Sequence, residues 1–167
     1  MFYSAGIEVA PSARPLPDHI LHREQNLTGY MRMTTVAEGK AAVVLIVEDD
    51  REMLSLLCDE FWGADYMLRQ ARDGDEAFRM VLESVPDLIL TDLRMPAGGA
   101  DYISRLRTIA PGCPIVVITA FGDTAGQNEV LKAGANAYFN KPVRISALKT
   151  CVRQLLNHSK DDVRCKE

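Results

Sequence analysis

Five side chains of this 167-residue sequence could do chemistry together: the carboxylates of Glu48, Asp49 and Asp92, the hydroxyl of Thr119 and the amine of Lys141. Each follows a short run of apolar residues. Leu45-Ile46-Val47 leads into Glu48 and Asp49, and Leu88-Ile89-Leu90 leads through Thr91 to Asp92. Ile115-Val116-Val117-Ile118 delivers Thr119, and Ala137-Tyr138-Phe139 leads through Asn140 to Lys141. Carboxylates brought to one place from different segments repel and raise one another's pKa unless a cation joins them. Oxygen ligands with no His or Cys suit a hard divalent ion, and a small number of them favours magnesium, which keeps waters and accepts a phosphate oxygen. Lys141 adds a point charge suited to a phosphoryl oxygen, and Thr119 adds a hydroxyl donor. Taken singly, the acids read as helix caps or dipole partners, Thr119 as a strand end and Lys141 as a solvated charge. Their coincidence in chain order, each behind an apolar run, favours a site.

The elements that must position these residues are legible in the same pattern. The sequence around Asp92 is a strand buried on both faces, stopped by Met95-Pro96, because Pro removes a donor and restricts the residue before it. Residues 42–47 form a continuous β-branched run, the mark of a central strand in a parallel sheet. Met53, Leu54, Leu57, Cys58 and Phe61 recur at helical spacing, and residues 66–71 read as a weaker strand that Asp73-Gly74 turns out of. Ala77, Phe78, Val81 and Leu82 predict a second helix ahead of Pro86; Tyr102, Ile103, Leu106 and Ile109 predict a third, closed by Pro111-Gly112. Residues 123–132 predict a fourth helix stopped by Gly134, and Ile145, Leu148, Val152 and Leu155 a fifth. Five strands alternating with five helices predict an α/β doubly wound parallel sheet covered on both faces. In such sheets ligands bind beyond the strands' C-terminal ends, where the strand order reverses.

Composition narrows the function classes. Apolar residues make up 47% and charged residues 25%, enough for a packed core. A net charge of −4, a pI near 5.4 and no basic stripe argue against direct nucleic-acid binding. Length fits one domain, 41–158, with 1–40 a Pro-containing flexible arm and 159–167 a charged, frayed tail. Cys58, Cys113, Cys151 and Cys165 are widely spaced with no C-x-x-C, as expected of thiols in a reducing compartment. With no leader-like segment and no apolar stretch long enough to span a bilayer, the expected location is cytoplasmic, without membrane contact.

Residues 45–50, the stretch Ala71-Arg72-Asp73-Gly74-Asp75-Glu76-Ala77, Thr91-Asp92-Leu93-Arg94-Met95-Pro96, Ile118-Thr119-Ala120-Phe121-Gly122-Asp123, and residues 134–142 ending in Lys141-Pro142 carry a resemblance. In correct order over roughly 42–157, they are similar to the receiver domain of two-component response regulators, closest to receivers of the nitrogen-regulator type. The resemblance implies a flavodoxin-like (βα)5 fold with strand order 2-1-3-4-5. It implies that Asp92 is the phospho-acceptor, taking its group from a sensor histidine kinase or a histidine phosphotransfer protein, with Lys141 and Thr119 as catalytic partners. It makes Thr119 and Tyr138 the switch pair and assigns magnesium to Asp49, Asp92 and the backbone carbonyl of Arg94, with Glu48 acting through water. It also implies a cis Lys141-Pro142 bond. Output would run to a downstream protein through the fourth helix, fifth strand and fifth helix, with a phosphorylation-dependent homodimer as one form.

Four positions depart from the family pattern: Gly99 and Ala100 stand where an Asp-Gly pair is usual, Asp101 where an apolar residue is, and Val143 where an aromatic is. The expectation is a self-phosphorylating signalling module, not a turnover enzyme, with no output domain on this chain. The alternatives are the receiver fragment of a longer transcriptional regulator and a phosphorylation-independent adaptor. A haloacid-dehalogenase-like phosphatase needs an Asp-x-Asp motif where this chain has Asp92-Leu93-Arg94.

Overall fold

The computed structural model describes residues 41–63, 66–120 and 124–164, with side chains through 158. Its elements alternate: β1 (Ala42–Val47), α1 (Arg51–Phe61), β2 (Tyr66–Ala71), α2 (Gly74–Glu83), β3 (Leu88–Thr91), α3 (Ala100–Ile109), β4 (Ile115–Thr119), α4 (Thr124–Lys132), β5 (Ala137–Asn140) and α5 (Ile145–Arg164). The strands form one parallel sheet in the order β2-β1-β3-β4-β5, the expected flavodoxin-like arrangement.

Side chains alternate across each strand, and both faces are covered, so the central strands are apolar throughout. Leu45, Val47, Ile89, Ile115 and Val117 face one core with Ala77, Val81, Tyr102, Ile103, Leu106 and Val130, which places α2, α3 and α4 on that side. Val44, Ile46, Leu88, Leu90, Val116 and Ile118 face a second core with Leu54, Leu57, Phe61, Leu148, Val152 and Leu156, which places α1 and α5 on the other. The helix starts follow their acids. Asp50 caps α1 by accepting from Met53 N at 2.8 Å, and Asp73 caps α2 by accepting from Glu76 N at 2.7 Å. Glu76 in turn accepts from Arg72 N at 2.8 Å.

Arg107 closes the opposite end of the domain. Its guanidinium donates to the carbonyls of Pro111 (2.7 Å), Cys113 (2.9 Å) and Gly134 (2.6 Å) and to Asn136 Oδ1 (2.8 Å). One side chain thereby ties the end of α3 to the connection between α4 and β5.

Several expectations need adjusting. Leu82 is 61% exposed, because α2 buries its Ala77–Val81 stripe and turns Leu82 outward. The helical backbone of α5 runs to Arg164, beyond position 158 where a charged tail was expected, since residues 159–164 contain no Gly or Pro to stop it. Thr119 closes β4 as its last residue, the strand end the sequence predicts. The arm assigned to 1–40, and Asp123 as the first residue of the fourth helix, lie outside the described residues. No described helix is long and apolar enough to cross a membrane.

Candidate functional site

The strand order reverses between β1 and β3, and the acids leave from those two strands. Val47 pairs with Thr91 at the last rung, and Asp92 N continues the ladder to Val47 O at 2.9 Å. Glu48 and Asp49 therefore emerge beside Asp92, and ligand oxygens of all three lie within 4.8 Å of one another. Glu48 and Asp92 are buried, and Asp49 is exposed at the rim.

Asp92 has its two carboxylate oxygens divided. Oδ1 accepts from the backbone N–H groups of Leu93 and Arg94, the latter at 3.0 Å. Oδ2 is 2.7 Å from Lys141 Nζ, which also donates to Glu48 Oε2 at 2.8 Å. The carbonyl of Asp92 accepts from the Thr91 hydroxyl at 2.8 Å, so the strand end is held on several sides.

Electrostatics follow from that crowding. Burial, reinforced by the Asp92 charge, raises the Glu48 carboxyl above its ordinary range against the pull of Lys141. For Lys141, burial works against the ammonium, but its hydrogen bonds and attraction to Asp92 and Glu48 outweigh it and raise its pKa. With an all-carboxylate donor set, no nitrogen or sulfur ligand and one acid open to water, the cluster fits a hard cation such as magnesium.

Lys141 is delivered by β5, the edge strand on the far side of β4. Its backbone N–H donates to Thr119 O at 2.8 Å, and Thr119 itself pairs with Asn140 in register. Thr119 is 1% exposed at the strand end. Tyr138 sits opposite Val117 and packs, half-buried, against the core beneath α3 and α4. The Lys141-Pro142 bond is cis, as expected. Of the residues singled out in the sequence, Lys141 contacts Glu48 and Asp92 directly, Asp49 lies within 4.8 Å of both acids, Thr119 joins them through the β4–β5 ladder, Arg94 follows Asp92 in the same turn, and Tyr138 lies further down β5. The sequence pattern did not foresee Glu48 as a direct partner of Lys141, because nothing local links residues 93 positions apart. An open groove of about 420 Å³ lined by Asp50, Glu52, Met53, Leu56 and Lys141 leads to the cluster from the α1 side.

A doubly wound sheet with acids and a lysine converging at its switch point defines a class, and comparison with known proteins fixes it. The family model for the response regulator receiver domain matches residues 44–153, most of the chain. The chain belongs to that family and carries the receiver domain of a two-component response regulator. Transcriptional regulatory protein ZraR of Klebsiella oxytoca is 30% identical over 123 residues, covering 73% of this chain and 28% of that protein. Response regulator MprA of Mycobacterium leprae is 33% identical over 120 residues, covering 71% of this chain and 53% of that one. The chain thus spans between roughly a quarter and a half of these relatives' lengths. Among solved structures, the Francisella response regulator 1452 receiver domain superposes with a TM-score of 0.67 at 27% identity, covering 71% of this chain and 98% of that one. A CheY-like receiver domain protein from Methanospirillum hungatei shares the fold at TM-score 0.69 and 23% identity, covering 72% of this chain and 98% of that one. The family is one of signalling modules, not of conventional enzymes.

Proposed function

We propose that Asp92 is the phospho-acceptor of this receiver and that its modification switches binding of a downstream protein. The observation that carries the reading is the ion pair between Lys141 and Asp92 Oδ2 inside a cluster of three acids. A carboxylate oxygen of Asp92 attacks the phosphorus of a phosphohistidine presented by a sensor kinase or phosphotransfer protein; the P–O bond forms as the P–N bond breaks. The imidazole leaves with the bonding pair and takes up a proton. Glu48, Asp49, Asp92 and the backbone carbonyl of Arg94 would hold Mg2+, which would offset charge on the phosphoryl oxygens. Lys141 exchanges its contact with Asp92 for one with a phosphoryl oxygen. Thr119 donates its hydroxyl to another, and Tyr138, on the neighbouring strand, changes rotamer with it. The surface of α4, β5 and α5 then carries the change to the partner, in a cytoplasmic phosphorelay built on the domain 41–158.

A second reading is favoured by one observation: the chain covers only 28% of a relative named as a transcriptional regulatory protein. On that reading the receiver controls an output domain in a longer regulator, and nucleic acid enters through that domain. Intact-protein mass after incubation with acetyl phosphate tests the shared core of both readings. Gain of one phosphoryl group that requires magnesium and is lost in Asp92→Asn is the expected result. No gain in the wild type leaves a phosphorylation-independent adaptor.

A further inference from the structure

The connection from Asp92 to the start of α3 folds back on itself more tightly than a surface loop needs to. Gly98 N donates to Met95 O at 3.1 Å, and a Cβ on Gly98 would overlap Leu93 O and stand 3.0 Å from Met95 O. Ala97 sits at φ +56°, a conformation that L-residues avoid unless neighbours impose it. The first turn of α2 packs against this residue from outside. Gly74 N donates to Pro96 O at 3.0 Å, and a Cβ on Gly74 would overlap Ala97 O, lie 2.7 Å from the Ala97 carbonyl carbon and 3.2 Å from Tyr102 Cδ2. That turn is itself rigid, because Asp73 and Glu76 fix its amides.

We infer that Gly74 is a positioning residue for the acidic cluster: its missing side chain lets α2 clamp the 93–98 loop and so fixes where the Arg94 carbonyl points. The inference rests on the phospho-acceptor reading above for the role of Arg94. Unlike Gly99 and Gly134, Gly74 does not adopt a positive φ, so the requirement for glycine is space alone. By helix propensity Gly74→Ala should stabilise α2, since Ala is the better helix former. Here the added methyl must push Ala97 outward. Gly98 closes on Leu93 and Met95, so that displacement runs back along the loop to Arg94, two residues from Asp92.

The test compares the 167-residue wild type, Gly74→Ala and, as a glycine with open space around it and ordinary φ, Gly112→Ala. Amide hydrogen exchange in metal-free protein reads the loop, and calorimetric titration with MgCl2 reads the site. Gly74→Ala is expected to speed exchange at Gly98 and Arg94 and to weaken magnesium binding about tenfold, the effect typical of losing a ligand's supporting contact. Gly112→Ala should match wild type in both. Loop amides that exchange at the wild-type rate in Gly74→Ala, or faster exchange with unaltered magnesium affinity, would overturn the inference. Should Gly74→Ala fail to fold, Gly98→Ala strains the same loop from within; wild-type magnesium affinity there would equally overturn it. A wild type that binds no magnesium sinks the phospho-acceptor reading instead, and the exchange comparison still decides the clamp.

Discussion

Lys141 Nζ stands 2.7 Å from Asp92 Oδ2 and, by the same ammonium, 2.8 Å from Glu48 Oε2. One cation therefore neutralises two buried acids that the chain delivers from different strands.

Removing that cation leaves Glu48 and Asp92 facing each other without a counter-charge. Lys141→Met is expected to lower stability by about 1–3 kcal/mol at neutral pH, the cost of stranding buried polar groups. Adding Asp92→Asn removes the repulsion and should recover part of the loss. Urea denaturation of both variants checks this; a double variant no more stable than Lys141→Met would contradict it.

Arg107 is the corresponding device at the other end of the sheet. Its donors satisfy the carbonyls of Pro111, Cys113 and Gly134. Arg107→Gln should lower stability by roughly 2–3 kcal/mol, since hydrogen bonds from a charged donor are individually strong and the carbonyls lose their partner. A shift of the urea midpoint within error would contradict the assignment.

Tyr102 presents the opposite case. Its ring is buried, but among the described residues its hydroxyl finds no partner at good hydrogen-bonding geometry, the Thr91 side chain being only nearby. Burial pushes the phenol up to about 12, the Thr91 side chain acting in the other direction and the Asp73 charge in the same one. Tyr102→Phe should therefore be neutral or stabilising, within about 1 kcal/mol, because it deletes a desolvated group without stranding another. A loss of more than that in thermal or urea unfolding would show that the hydroxyl is bonded.

Cys113 gives a pH dependence. Burial raises its thiol to about 12 from an ordinary 9.0, with the Arg107 charge opposing and Asp87 reinforcing. The folded pKa lies above the unfolded one, so the thiol's contribution is fully present below about pH 9 and is lost as pH rises towards 12. Between those limits the unfolded state releases a proton that the folded state keeps, a slope of up to roughly 1.4 kcal/mol per pH unit. Cys113→Ala should flatten the fall in urea stability over the alkaline range relative to wild type. An unchanged slope would contradict the burial argument.

Much of the molecule could be read from the chain because central parallel strands leave an unbroken apolar run, and each run's end marks a place at the sheet's C-terminal edge. β1, β3 and β4 are of that kind, and so Asp92 and Thr119 were placed by their strands alone. β2 is an edge strand whose residues Tyr66–Ala71 are mostly half-buried or exposed, which is why its signal was weaker. What stayed hidden depends on contacts distant in sequence. The Glu48–Lys141 bond, the grip of Arg107 on Gly134, and the approach of Ala97 O to Gly74 have no local periodicity to announce them. The outward turn of Leu82 was hidden for a related reason: an apolar residue at the edge of a helix stripe does not say whether a neighbour reaches it.

The most direct test of the account is to locate the phosphoryl group. Wild-type protein is treated with acetyl phosphate and magnesium, quenched with borohydride, which reduces an aspartyl phosphate to homoserine, and mapped by peptide mass spectrometry. Conversion at position 92 alone, abolished by chelating magnesium, is the predicted result. Conversion at Asp49 or elsewhere with Asp92 unchanged, or none at all, would contradict the central claim.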